Sequence, residues 1–217
     1  MRILVYMDIL TIASQKGGAG KTTLSAHLAV EAERTGRGPV AVVDTDPQGS
    51  LADWWNQRVA DTPLFAAVEV VQLTAHMAEL RQQGVNLVVI DTPPALLSTI
   101  RAAIQVADVV LIPARPSPHD LRAVGVVVEM AEQARKGLYF VVNGATPRTT
   151  IALEAVQALA QHGPVAPVIV HQRIDFAGSM VDGRTVGEVT PTSRSAAEIT
   201  QLWKYVYTQI RKHGRSR

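Results

Sequence analysis

At 217 residues, 47% hydrophobic and 18% charged, the chain has apolar material for one sizeable core and too few charges for a disordered one. It carries no cysteine, which excludes disulfides, zinc–thiolate sites and iron–sulfur ligation, and its formal net charge of +2 is too small to argue for nucleic-acid binding. No apolar run reaches the length of a bilayer span, and residues 1–6 lack the form of a signal peptide; they read as an extension or a misassigned start ahead of Met7.

In chain order, apolar β-branched runs alternate with helical patterns. This predicts a single α/β domain over residues 1–217, with a mostly parallel central sheet and helices on both faces. The first strand is expected at 9–13 and the first helix at 24–34, closed by Gly36 and Gly38. A strand follows at 39–44, then a helix carrying Trp54 and Trp55, which read as packing residues. A short strand is expected at 68–73 and a helix at 74–83. The unbroken apolarity of 86–91 marks a central strand. Helix 96–107, strand 108–114, a long helix 119–136, strand 138–143, helix 149–162, strand 165–171 and a closing helix 193–212 complete the chain. The six histidines are scattered, and no two share a metal-ligand spacing.

Between the first strand and the first helix lies Gln15-Lys16-Gly17-Gly18-Ala19-Gly20-Lys21-Thr22-Thr23. Strand, glycine loop and helix in that order make a phosphate cradle. Backbone N–H groups must turn inward around phosphate oxygens in conformations that a Cβ obstructs, and the helix N-terminus adds its positive end. Lys21 supplies a point charge for the β- and γ-phosphates of ATP, and the Thr22 hydroxyl is placed to ligate Mg²⁺. Gly17, Gly18, Ala19, Gly20, Lys21, Thr22 and Thr23 are therefore the expected phosphate-binding residues. Ligands of open parallel sheets bind beyond the carboxyl ends of the strands, so the polar strand ends matter next. Two of them are Asp44-Thr45-Asp46-Pro47-Gln48-Gly49 and Asp91-Thr92-Pro93-Pro94. An Asp after a strand reads either as a metal ligand or as a helix cap.

The loop departs from the ordinary P-loop, with Gln15 where a glycine is usual and a second lysine, Lys16, at its start. This Lys-Gly-Gly-x-Gly-Lys-Thr-Thr form resembles the deviant Walker A of the ParA/MinD family of ATPases, closest to its small ParA-type partition members. The resemblance extends over nearly the whole chain and implies a P-loop NTPase fold. It implies that Lys16 reaches the nucleotide of a partner subunit in an ATP-dependent homodimer. The Asp44–Gly49 run is similar to the family's switch I and the Asp91 run to its Walker B and switch II. On that likeness Asp46 positions the attacking water, Asp44 helps to hold the Mg²⁺ environment, and Asp91 binds the metal. The proline-rich run from Pro113 to Leu121 resembles a loop near the dimer interface. Asn143 stands where the family contacts adenine, with an ordinary strand-end turn residue as the alternative. The segment 173–188, with Phe176, Gly183, Val186 and Glu188, resembles the one that closes over the base.

In the last helix Ile199, Leu202, Trp203, Val206 and Ile210 fall at helical spacing and read as a stripe packed on the sheet. Lys204, Arg211 and Lys212 are left on the surface, Arg215 and Arg217 extend the basic run, and no acid follows Ile199. Contacts to DNA phosphates, attraction to anionic lipid, or solubility alone compete as uses for these charges. ParA-like members bind DNA without sequence preference, whereas MinD-like members append an amphipathic helix, and none is expected after residue 212. The implied protein is a cytoplasmic, nucleoid-associated Mg²⁺-dependent ATPase whose hydrolysis is stimulated by a ParB-like or cargo-adaptor partner. A MinD-like membrane-surface ATPase is the alternative, and a small-molecule synthetase on the same fold is disfavoured by the double-lysine loop.

Overall fold

The computed structural model describes residues 6–214. Its strands are β1 (Asp8–Ile12), β2 (Val40–Asp44), β3 (Leu64–Phe65), β4 (Leu87–Asp91), β5 (Val109–Ala114), β6 (Gly137–Ala145) and β7 (Val170–His171). They form one sheet in the order β3-β2-β4-β1-β5-β6-β7, and every pair is parallel. The helices are α1 (Lys21–Arg34), α2 (Ser50–Asn56), α3 (Leu73–Gln82), α4 (Leu97–Val106), α5 (Pro118–Arg122), α6 (Gly125–Gln133), α7 (Ile151–Ala160), α8 (Ile174–Met180), α9 (Val186–Val189) and α10 (Arg194–Gly214). Among the described residues, no helix is long and apolar enough to cross a membrane.

Successive side chains of a strand point to opposite faces, and the central strands here are apolar at both parities. Leu10, Ile12, Val42, Val89 and Leu111 meet α1, α2 and α10 on one face. Residues of the other parity, such as Val88, Ile90, Val110 and Ile112, meet α3, α4, α6 and α7 on the opposite face. The expected stripe of α10 is fully packed: Ile199, Leu202, Trp203, Val206 and Ile210 are each at most 2% exposed. Trp54 is buried and Trp55 half-buried, and their indole N–H groups donate to the carbonyls of Arg184 (3.2 Å) and Pro63 (2.8 Å), in keeping with packing.

Three expectations are corrected. The strand foreseen at 68–73 is instead Leu64–Phe65, which pairs with Ala41 and Val42, while Val70–Gln72 is a 3-10 turn with Val71 90% exposed. An edge strand of two residues has too little alternation to be read as one. The long helix 119–136 is two helices. Pro118 and the Ser117 hydroxyl, which accepts from the Asp120 N–H at 3.2 Å, start α5, and the break falls at 123–124, beside Gly125, the weakest helix former of the stretch. The last strand shrinks from 165–171 to β7 plus a single bridge between Val165 and Phe140, because Pro164 and Pro167 have no N–H to give a ladder.

Leu202→Ala is expected to lower the unfolding free energy by about 3 kcal/mol, since it leaves a cavity under α10. Lys204→Ala, on the exposed face of the same helix, should change it by less than about 0.5 kcal/mol. Denaturant midpoints at constant m-value measure both.

Candidate nucleotide site

The loop after β1 is built around backbone geometry. Gly18 (φ 74°) and Gly20 (φ 88°) are left-handed, and Gly20 caps α1 with no side chain over the helix end. The first-turn N–H groups of α1 are thereby left to an anion. Asn143 braces the loop from below: its Nδ2 donates to the Ala19 carbonyl at 2.7 Å, and a Cβ on Gly20 would stand 2.2 Å from that nitrogen. Lys21 is 6% exposed and folds back over the loop, donating from Nζ to the Lys16 carbonyl at 3.2 Å. Burial pushes its ammonium below the ordinary range, and Asp91 and Asp46 pull it part of the way back. The Lys16 side chain is half-buried and makes no hydrogen bond or ion pair with the described residues.

Asp91 closes the site from β4. It is 1% exposed, its Oδ2 accepts from the Thr22 hydroxyl at 2.6 Å, and its Oδ1 has no partner among the described residues. Burial drives its carboxyl up to about 7; the Thr22 hydroxyl and Lys21 oppose that shift and Asp44 adds to it. An orphaned carboxylate oxygen beside a hydroxyl, with phosphates expected at the loop, is the hard-oxygen set that suits Mg²⁺. The residues present therefore fit the ion. Among the described residues no cluster of three or more His, Asp or Glu could hold a metal by itself.

Asp44 does something other than surround a metal in this conformation. Its Oδ2 accepts from the N–H groups of Leu51 (2.9 Å) and Ala52 (3.1 Å) in the first turn of α2, and its Oδ1 accepts from the Asp46 N–H at 2.9 Å. Asp44 thus takes two first-turn N–H groups of α2 from outside the helix, whose N-cap residue is Gly49. Burial and Asp46 raise its pKa against these three N–H donors. Asp46 is half-buried, with Oδ1 accepting from the Gln48 N–H at 3.0 Å.

Beside the loop, a cavity of about 230 Å³ is lined by Gly20, Thr23, Arg115, Asn143, Arg173 and Phe176, among others. Asn143 lines this cavity while its amide is engaged by the loop. Only the first part of the segment 173–188 faces this cavity. Val186 is fully buried against the core, and Glu188 pairs with Arg58 at 2.8 Å, burial raising its pKa but Arg58 and Thr185 bringing it net below the usual range. Across the cavity wall, Glu198 accepts from Arg173 at 2.6 Å and pairs with the His171 Nδ1 at 2.8 Å.

Residues 10–186 match the family model described as the CobQ/CobB/MinD/ParA nucleotide binding domain. The chain belongs to the ParA/MinD family. It is 34% identical over 203 residues to the maintenance of carboxysome distribution protein A of Halothiobacillus neapolitanus, covering 89% of this chain and 93% of that one. It is 26% identical over 241 residues to the chromosome-partitioning ATPase Soj of Thermus thermophilus, covering 94% and 96%. Among solved structures, apo McdA of Cyanothece superposes with a TM-score of 0.79 at 18% identity, over 93% of this chain and all of that one. The cell division ATPase MinD of Pyrococcus furiosus superposes at 0.77 and 19% identity, over 93% and 98%. These likenesses make the chain a ParA/MinD-type ATPase with that family's parallel-sheet fold.

Within this ParA/MinD fold Lys16, Lys21, Thr22, Asp44, Asp46 and Asp91 come together at the carboxyl ends of β1, β2 and β4, with Asn143 beside them from β6. Lys204, Arg211 and Lys212 are exposed on α10, away from that group. Arg215, Arg217 and residues 1–5 lie outside the described residues. Sequence reading missed His27 and Arg58, each of which has a partner far along the chain, 159 and 130 residues away, that leaves no local signal.

His27 sits on α1 one turn beyond Thr23. Its Nδ1 lies 2.7 Å from the Thr23 carbonyl and its Nε2 accepts from the Val186 N–H at 3.2 Å, which puts the proton on Nδ1 of a neutral ring. Burial presses its pKa down to about 4 from 6.5, against smaller opposing pulls from Thr23 and Glu188. A base with a depressed folded pKa contributes stability above its unfolded pKa and loses it as pH falls through the folded one. Between pH 6.5 and about 4 the protein should therefore lose on the order of 3 kcal/mol through this group. Chemical denaturation of wild type and His27→Gln across that range measures it; the variant, which keeps one donor and one acceptor, should show the shallower pH dependence.

Proposed function

We propose that this chain is a ParA-like, Mg²⁺-dependent ATPase that dimerises around two ATP molecules, binds DNA without sequence preference and positions a cargo. The observation that carries the reading is the phosphate loop with two lysines, one buried and folded over the loop, the other with an uncommitted side chain. On this reading Lys21 leaves the Lys16 carbonyl for the β- and γ-phosphates, a move that costs one weak hydrogen bond. Thr22 and Asp91 hold Mg²⁺, which supplies charge neutralisation at the same phosphates. Asp46 orients the attacking water, Asp44 fixes the backbone on which Asp46 stands, and Lys16 completes the neighbouring subunit's site. Phosphoryl transfer asks a protein chiefly for this positioning and charge neutralisation.

For the base, Asn143 is placed to turn from the Ala19 carbonyl toward an adenine in the adjoining cavity, with Phe176 as its apolar wall. Lys204, Arg211, Lys212 and Arg215 are the proposed DNA contacts, weak in one subunit and useful in two. The cargo suggested by the relatives is either a carboxysome, the body named in the Halothiobacillus protein, or a chromosome, as named for Soj. A partner that carries the cargo would stimulate hydrolysis, and the site of action would be the nucleoid in the cytoplasm.

Asp46→Ala is expected to keep ATP-dependent dimerisation by size-exclusion chromatography and to lose turnover by about a hundredfold, the size typical of a transition-state group. Lys16→Ala should bind ATP as wild type does and remain monomeric with it; a Lys16→Ala dimer would remove the cross-subunit role. Chelation of Mg²⁺ should abolish turnover in all of them.

Changing Lys204, Arg211 and Lys212 together to Ala should weaken ATP-dependent DNA retention and flatten its salt dependence by about three units of slope per subunit. Flotation with anionic liposomes is the control, and lipid capture without DNA capture would favour the membrane alternative.

A further inference from the structure

Among the described residues, a charged link with a buried guanidinium lies outside the phosphate site at Arg58, just beyond α2. Its side chain is 3% exposed and all five of its guanidinium N–H groups are engaged. Nε and one terminal nitrogen donate to the Thr62 carbonyl at 3.1 and 2.7 Å, and the other terminal nitrogen donates to the Gly183 carbonyl. Both terminal nitrogens reach the Glu188 carboxylate, at 3.2 and 2.8 Å. The guanidinium also lies 5.0 Å over the Trp54 ring. At Gly183 the two segments touch backbone to backbone, since a Cβ there would stand 2.4 Å from the Arg58 nitrogen.

The two pieces that Arg58 joins belong to opposite sides of the nucleotide site. On one side is α2, a seven-residue helix far too short to persist alone, so its place is set by its contacts. Its first-turn N–H groups hold Asp44, and Asp44 holds the N–H of Asp46. On the other side Val186 bonds His27, and the His27 ring packs edge-on against Phe176 at 5.2 Å, the residue that walls the base cavity. Thr185 and Glu188 close a capping box that keeps the Glu188 carboxylate aimed at Arg58.

We propose that Arg58 is a positioning residue that clamps α2, and with it the loop bearing Asp46, to the segment behind the base cavity, so that the water-orienting and base-binding sides keep one relative position. The inference rests on the assignment of Asp46 to turnover. A charged group is suited to this clamp because five directional bonds define an orientation, which an apolar contact of equal area does not.

The test is amide hydrogen exchange of the whole protein carrying Arg58→Met, with turnover measured beside it. Methionine keeps an apolar stem over Trp54 and removes every donor. Exchange at Leu51 and Ala52 is expected to quicken by about tenfold or more, while amides in the body of α1 change by less than about twofold. Single-turnover hydrolysis should slow by about tenfold with the Kd of a non-hydrolysable ATP analogue within about twofold of wild type.

Asp46→Ala combined with Arg58→Met should be no slower than Asp46→Ala alone, because displacing a group and deleting it are the same loss. Unchanged exchange at Leu51 and Ala52 overturns the clamp, and losses that multiply in the double variant overturn its link to Asp46. Should Asp46→Ala alone keep wild-type turnover, it is the assignment of Asp46 that fails, and the exchange rates still decide the clamp. If Arg58→Met does not fold, Glu188→Gln is measured in the same way, with exchange about threefold faster expected and no change counting against the proposal.

Discussion

The parallel register of β1, β4 and β2 is the constraint on which the rest of the molecule depends. Ile12 lies opposite Asp91, and Asp91 opposite Asp44, so three strands run out of partners at one level. Two hydroxyls hold that level: Thr45 donates to the Asp91 carbonyl at 2.6 Å and Thr92 to the Ile12 carbonyl at 2.9 Å. A slip of one residue would turn Asp91 to the opposite face and Ile90 toward the phosphate loop. The cost of the arrangement is visible in Asp91, an acid almost without solvent, with one oxygen unpartnered and its carboxyl held near neutral pH. Such a group weakens the empty protein and suits one that gains its missing partner from a ligand.

Helix α1 carries the consequences outward. Its first turn faces the expected phosphates, and its body supports the base side through His27 and Glu31. Glu31 accepts from Arg34 at 2.9 Å and from Thr200 of α10 at 2.8 Å, while a Cβ on Gly187 would stand 2.4 Å from the Arg34 guanidinium. The α1 helix therefore links the phosphate loop, α9 and α10 as one packed unit. Asp44 itself illustrates the division of work: the same carboxylate that could approach a metal is spent on three N–H groups, which gives Asp46 a fixed base.

Much of this was legible from the residues. The glycine loop between an apolar run and a helix, and the acids at two strand ends, are local patterns, because chain direction alone places a strand's last residue at the ligand edge. The stripe of α10 was legible for the same reason, five apolar residues at helical spacing. The short edge strand β3 and the truncated β7 were not, since a two-residue strand has no period to read and prolines interrupt a ladder only where another strand lies alongside. The bond of the Asn143 amide under the phosphate loop was not legible either, because that contact exists only where β6 and β1 share a sheet with β5 between them.

What the sequence determined by itself is the chemistry of the site: a glycine loop suited to phosphate, two lysines, a hydroxyl and acids at two strand ends, each read from a few neighbouring residues. What only the tertiary structure decided is which of these groups are already spent. Asp44 is engaged by the first turn of α2, Lys21 is folded over its own loop, Asp91 is half satisfied, and Arg58 has all five donors bound to residues up to 130 positions away. Commitment of this kind depends on burial and on partners distant in the chain, and neither leaves a mark on the residues beside the group that bears it.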